Sequence, residues 1–163
     1  RYAAGLRRAG ARLPSTASTT ERSPAMTAFT LEEARDVLAT ALPGCVRSLG
    51  VSVESLGEGK ATLRMPAGEQ ATREGNIFGG QALSVLADSA MCFAIWTDGR
   101  GRRPIATVDL HMTFMRAGGG EDVLAHAELV RSGRSLAFAR VTMDLASTGQ
   151  TLATAVATFA LPA

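Results

Sequence analysis

The stretch Gly80-Gln81-Ala82-Leu83-Ser84-Val85-Leu86-Ala87-Asp88-Ser89-Ala90-Met91-Cys92-Phe93-Ala94-Ile95-Trp96-Thr97 decides the fold. It has no proline, no glycine after its first position, and one charged residue, Asp88. This pattern predicts a single helix about 27 Å long at 1.5 Å per residue. Apolar side chains occupy nearly every face, so the helix is expected to be buried. A helix of that kind needs a surface that covers it completely, and an antiparallel sheet curled around it supplies one.

The flanking segments have the right character for such a sheet. Upstream, Thr30 and Glu33 have capping-box spacing before Leu31, Ala34, Val37, Leu38, Ala41 and Leu42, which predicts a short amphipathic helix stopped by Pro43-Gly44. Val51–Leu56 and Lys60–Met65 flank Gly57-Glu58-Gly59 and read as a hairpin, followed by a loop from Pro66 to Gly75. Downstream, Asp98–Arg103 reads as an exposed turn. Ile105–Met115 then alternates, with Ala106, Val108, Leu110, Met112 and Phe114 on one face and Thr107, Asp109, His111 and Thr113 on the other. Val123–Val130 and Leu136–Leu145 are strands joined by an Arg131–Arg134 turn, and Thr151–Leu161 is the last strand. The expected class is α+β, with five or six antiparallel strands around one long helix.

Composition supports one domain. The chain has 163 residues, 46% of them hydrophobic, which is enough for a core. Its longest apolar run, Ala90–Trp96, is far short of the roughly 20 residues that span a membrane, so a soluble protein is expected. The net charge of +2 is unevenly spread. Residues 1–25 hold Arg1, Arg7, Arg8, Arg12 and Arg22 against Glu21, whereas residues 26–163 are mildly acidic. The domain therefore lacks the basic field that nucleic acid requires. Residues 1–25 read as a disordered extension, upstream or transit-like in composition, and 26–163 as the domain. Its removal is expected to leave fold and activity intact. Cys45 and Cys92 have no metal-binding or disulfide-framework spacing, which suits a reducing, cytoplasmic location.

The chemistry is expected on the helix. Gln81, Ser84, Asp88 and Cys92 fall within about 80° of one another at 100° per residue. A carboxylate among apolar side chains is costly to ionise and has a raised pKa, which suits a general base or nucleophile. Gly79-Gly80 enters the helix, and free N–H groups at a helix start hold a developing oxyanion. A donor at the start and a carboxylate two turns in are expected to frame a carbonyl and a water.

Four motifs carry a resemblance: Gly-Asn-Ile-Phe-Gly-Gly (75–80), Leu-Ala-Asp-Ser-Ala (86–90), Ile-Ala-Thr-Val-Asp-Leu-His-Met-Thr-Phe-Met-Arg (105–116) and Ser-Gly-Arg-Ser-Leu-Ala (132–137). In this order they resemble the hotdog-fold acyl-CoA thioesterases, nearest the phenylacetic-acid-pathway (PaaI-like) branch, over about residues 45–161. The resemblance implies that Asp88 is the catalytic carboxylate. It implies that Gly80 or Gly79 is the oxyanion donor, and that Thr107 holds the water or the carboxylate. It also implies a homodimer with shared sites, expected to pair into a dimer of dimers. The substrate would be an acyl-CoA, with CoA entering as part of it and no metal or other cofactor.

Asn76, Phe78, Gln81 and Ser84 are candidate substrate contacts. Arg116 and Arg134, with Arg131, are candidates for the acidic nucleotide end of CoA. The chain departs from the family at Phe78-Gly79-Gly80, where His-Gly-Gly is common. Phe78 lies ten residues before Asp88 where nine is usual. Thr72 stands where the family often has Asn, counted six residues back from Phe78.

Two other functions compete with hydrolysis. One is an acyl-CoA-binding module without turnover. The other is a hydratase on the same fold, which needs an Asp/His pair that neither His111 nor His126 supplies by spacing. Cys92 shares the Asp88 face with no histidine nearby in sequence and reads as structural. Phe93, Trp96, Met112 and Met115 read most simply as core, with Phe93 or Trp96 an alternative lining for an acyl pocket.

Overall fold

A computed structural model describes residues 28–162, and the basic tail lies outside them. Thr30 caps α1 (Leu31–Asp36), its hydroxyl accepting the Glu33 N–H at 3.1 Å. The helix continues as a π-type turn over Val37–Ala41. Pro43 then opens a one-turn helix, α2 (Gly44–Arg47), instead of ending helical structure. Proline lacks an N–H, and a helix entry needs none there.

β1 (Ser52–Gly57) and β2 (Lys60–Met65) form the expected hairpin, turning at Glu58-Gly59 with Gly59 at φ +64°. The expected loop contains structure. β3 (Thr72–Arg73) pairs with β4 (Ile77–Phe78) in a separate two-stranded ribbon. Strands of two residues are too short to show alternation in sequence.

Next come α3 (Gly80–Trp96), β5 (Ala106–Phe114), β6 (Val123–Ser132), β7 (Leu136–Leu145) and β8 (Thr151–Ala160). β6 runs further than expected, with a register shift between Leu129 and Arg131. Arg131 therefore belongs to the strand, not the turn. The six long strands form one antiparallel sheet in the order β1-β2-β6-β7-β8-β5. The sheet curls over α3, which packs chiefly across β6, β2 and β7.

Leu86, Met91, Phe93 and Ile95 of α3 are fully buried against Leu63, Met65, Met143 and Phe159 of the sheet. Each such side chain contributes about 1.5–3 kcal/mol on burial. Phe29 and Trp96 close the far end of the helix around Phe93, with ring centroids 5.3–5.5 Å apart.

α3 is not buried all round. Gln81 is exposed, and Ser84, Val85, Asp88 and Cys92 are half-buried. The sheet covers the rest of the helix and leaves this stripe open. β5 is also open, since it pairs only with β8. Val108, Phe114 and Met115 stand more than half exposed along it.

The C-terminal end of α3 is clamped. Asp98, whose side chain is 6% exposed, accepts from Arg103 and Arg100, each at 2.6 Å, and from Ser132 Oγ at 3.0 Å. Burial opposes ionisation here, but these hydrogen bonds outweigh it and hold the carboxyl down at about 2. The clamp ties the helix exit to the β6–β7 turn. Among the described residues no helix is long and apolar enough to cross a membrane.

Candidate active site

Asp88 projects from the open stripe of α3 toward β5. Its Oδ1 accepts a 2.8 Å hydrogen bond from Thr107 Oγ1. Burial pushes the Asp88 carboxyl above the usual carboxylate range, and the Thr107 bond pulls it partly back. The result is a half-desolvated base held in one orientation by a hydroxyl.

Strict alternation puts Thr107 on the wrong side of the sheet, beside Asp109 and His111. A bulge between Thr107 and Asp109 corrects this. Thr107 lies opposite Phe159, which is fully buried on the α3 side, whereas Asp109 lies opposite Thr158. The one-residue insertion turns Thr107 inward and leaves Val108 exposed at the bulge.

The two candidate oxyanion glycines differ. The Gly79 N–H is taken, donating to the Ala71 carbonyl at 2.9 Å. Gly80 opens α3, and its N–H has no protein acceptor among the described residues. The Phe114 ring lies over Gly80, 3.3 Å from where a Cβ would stand.

A cavity of 340 Å3 begins at Gly80, lined by Phe78, Ile77, Leu83, Phe114 and Met115, with Arg73 and Arg116. Phe78 and Arg116 thus meet at the helix entrance. Arg73 was not singled out from sequence. Counting the family spacing back from Asp88, nine residues to Gly79 and six more, reaches Arg73; counting from Phe78 reaches Thr72.

Other candidates fall elsewhere. Ser84 Oγ donates to the Gly80 carbonyl at 2.8 Å and Gln81 is exposed beside Gly79. Asn76 adopts φ 54° in the β3–β4 turn, and its carbonyl lies so close to Gly119 that a Cβ there would collide with it. Asn76 shapes the turn and does not line the cavity. Arg134 is exposed at the β6–β7 turn, whose Gly133 carbonyl accepts from Arg100. It sits at the opposite end of α3 from Arg116.

Both described histidines occupy the outer face of the sheet, away from Asp88. His111 lies opposite Val156, and His126 contacts Thr62 Oγ1 at 3.2 Å. Burial, helped by the Asp88 charge, pushes the Cys92 thiol well above its ordinary range, which makes it a poor nucleophile.

Along one α3, Gly80 and Asp88 are about 12 Å apart in axial rise. One carbonyl cannot touch both directly, so within one chain a carbonyl held at the Gly80 N–H would reach Asp88 only through an intervening water.

Long helix, curled six-stranded sheet and helix-borne carboxylate together define the hotdog-fold thioesterase class. The family model for the acyl-CoA thioesterase N-terminal domain matches residues 68–160. Mouse acyl-coenzyme A thioesterase 13 is 32% identical, over 69% of this chain and 81% of its own. The crystal structure of zebrafish thioesterase superfamily member 2 superposes with a TM-score of 0.75 at 32% identity, covering 83% of this chain and 100% of the other. Mouse thioesterase superfamily member 2 gives 0.71 at 27% identity, covering 81% and 97%. The chain belongs to the acyl-CoA thioesterase family.

Proposed function

We propose that this chain hydrolyses the thioester of an acyl- or aryl-CoA, with Asp88 as base or nucleophile, and that it stands nearest the PaaI-like branch. The observation that carries the reading is Asp88 itself: half-desolvated, raised in pKa, and fixed by Thr107 on the open face of α3. The Gly80 N–H polarises the thioester carbonyl. Asp88 activates water or attacks the carbonyl directly, and Thr107 orients the carboxylate.

The site is shared between two copies. A second chain related by a two-fold axis, its β5 running antiparallel to the first, would complete the open sheet edge. The same operation sets two α3 helices antiparallel and brings Gly80 of one chain against the partner's Asp88. The exposed Val108 and Met115 and the uncovered stripe of α3 support this arrangement. Dimers of this kind are free to pair again into a tetramer through other faces.

Arg134 and Arg131, exposed on the β6–β7 hairpin, are our candidates for contacts to the nucleotide end of CoA. Arg116 lines the cavity itself and meets the part of the substrate nearer the thioester. No cofactor enters this scheme, and two free cysteines suit a reducing, cytoplasmic location. A hydratase reading lacks support because both described histidines lie across the sheet from Asp88.

Hydrolysis of a panel of acyl-CoAs, followed by release of the CoA thiol, tests the proposal. Asp88→Asn is expected to lower kcat by about 10²–10⁴-fold while the protein still binds acyl-CoA. Activity within a few-fold of wild type would exclude Asp88. Binding of every thioester with no thiol release by wild type would assign a sensor instead.

A further inference from the structure

The cavity at Gly80 contains two cations and no acid. Arg73 arrives from β3, where it pairs with Ile77, and Arg116 from just beyond β5, where its N–H donates to the Leu152 carbonyl at 3.1 Å. Neither makes an ion pair among the described residues. Arg64 is paired with Glu54 and Asp122, Arg100 and Arg103 with Asp98, and Arg140 with Glu128. Arg35, Arg47, Arg102, Arg131 and Arg134 are also unpaired among the described residues, but none of them lies beside Gly80. Two elements far apart in sequence thus bring unpaired guanidinium groups to one groove beside Gly80, whose walls also include the apolar Leu83, Phe114 and Met115.

Guanidinium pairs select carboxylate or phosphate. The substrate's phosphates lie too far away. Thirteen bonds separate the thioester sulfur from the first phosphorus, roughly 16 Å when extended at common bond lengths. The space beside Gly80 is an open groove of 340 Å3, about 9 Å across if equidimensional, with Arg73, Phe114, Met115 and Arg116 exposed along it. With the carbonyl on the Gly80 N–H, the phosphates fall outside it. A carboxylate at the far end of a five- or six-carbon acyl chain falls inside, roughly 5–6 Å from the carbonyl carbon.

We propose that Arg73 and Arg116 are specificity-determining residues that bind an anionic group on the acyl chain, and that the substrate class is a dicarboxylic acyl-CoA. This rests on the thioesterase reading above. Leu83, Phe114 and Met115 hold the methylenes between thioester and carboxylate, and the two arginines hold the terminal carboxylate at the cavity mouth.

Matched pairs test the proposal: glutaryl-CoA against valeryl-CoA, and adipyl-CoA against hexanoyl-CoA, assayed by kcat/KM with correction for spontaneous hydrolysis. Wild type is expected to prefer the dicarboxylic member of each pair at least tenfold. Arg73→Gln and Arg116→Gln should each cut that preference at least tenfold, mainly through a higher KM. Equal or better turnover of the neutral acyl chains by wild type would overturn the proposal and leave the thioesterase reading standing. So would an equal loss on both members in the variants, which would assign the arginines to CoA or to the reacting carbonyl. Failure of wild type on all four thioesters while other acyl- or aryl-CoAs release thiol would also overturn this proposal alone. No thiol release from any member of the wider panel would sink the thioesterase reading, and this proposal with it.

Discussion

Thr107 on β5 donates a 2.8 Å hydrogen bond to Asp88 on α3, and this bond is the link between the sheet edge and the helix-borne carboxylate. It favours the ionised carboxylate, against the burial that favours the acid. Thr107→Val keeps the shape and removes the donor. The Asp88 pKa should rise further, because only the lowering contribution is lost. In the proposed mechanism the active form is the carboxylate, so activity is expected to appear as pH rises through that pKa. The acid limb of the kcat/KM profile should therefore move to higher pH in the variant. An unmoved limb would show that the hydroxyl does not tune Asp88.

Gly80 faces the Phe114 ring at the entrance to the cavity. Gly80→Ala retains the N–H but puts a methyl group 3.3 Å from the ring, so the ring must shift into the cavity. We expect kcat/KM to fall about tenfold, a loss of roughly 1.4 kcal/mol in transition-state binding, with no drop in melting temperature. Adding Phe114→Leu should recover part of the loss. A double variant no better than the single would separate the two residues.

Val108 stands 60% exposed at the β5 bulge. Val108→Asp puts a charge on the proposed subunit interface. Size-exclusion chromatography with light scattering should show monomers, and hydrolysis should vanish although Asp88 and Thr107 remain in the same chain. Full activity from a monomer would contradict the shared site.

Asp98 anchors the exit of α3 through Arg100, Arg103 and Ser132. Its folded pKa is depressed, so it contributes stability above the unfolded value near 4 that is lost as pH falls through about 2. Asp98→Asn leaves two guanidinium groups without their carboxylate, one of them half exposed. It should cost about 2–4 kcal/mol near neutral pH, read by denaturant unfolding. Between pH 4 and 2 the variant should lose less stability than wild type.

Cys92 shares the helix face with Asp88 but has a thiol that resists ionisation. Cys92→Ala should retain hydrolysis, and thiol alkylation near pH 8 should inactivate wild type slowly if at all. Rapid inactivation that Cys92→Ala abolishes would reopen a nucleophilic role.

Much of the fold was legible because long elements repeat their signal. Gly80–Thr97 shows no helix breaker after its first residue, and Ala139–Leu145 alternates apolar and polar residues. β3 and β4 were not legible, since two residues carry no period. The side to which Thr107 points was not legible either. Alternation placed it with Asp109 and His111, and one inserted residue at Val108 reverses that. A bulge shows only in the pairing with β8, which is a relation between segments some 50 residues apart.

Asp88, and the glycines ahead of it, could be singled out from the chain alone, because a lone carboxylate in an apolar helix is costly wherever that helix packs. The choice between Gly79 and Gly80 required the structure, since the Ala71 carbonyl occupies one N–H and not the other. Arg73 and Arg116 are 43 residues apart and gain a common meaning only where β3 and the end of β5 meet. Sequence by itself determined which residues cannot be buried cheaply and where the long elements lie, because periodicity and desolvation cost act locally. Tertiary structure alone decided which face each strand presents, which amide stays free and which cations share a cavity, because those depend on hydrogen bonds and packing between distant segments.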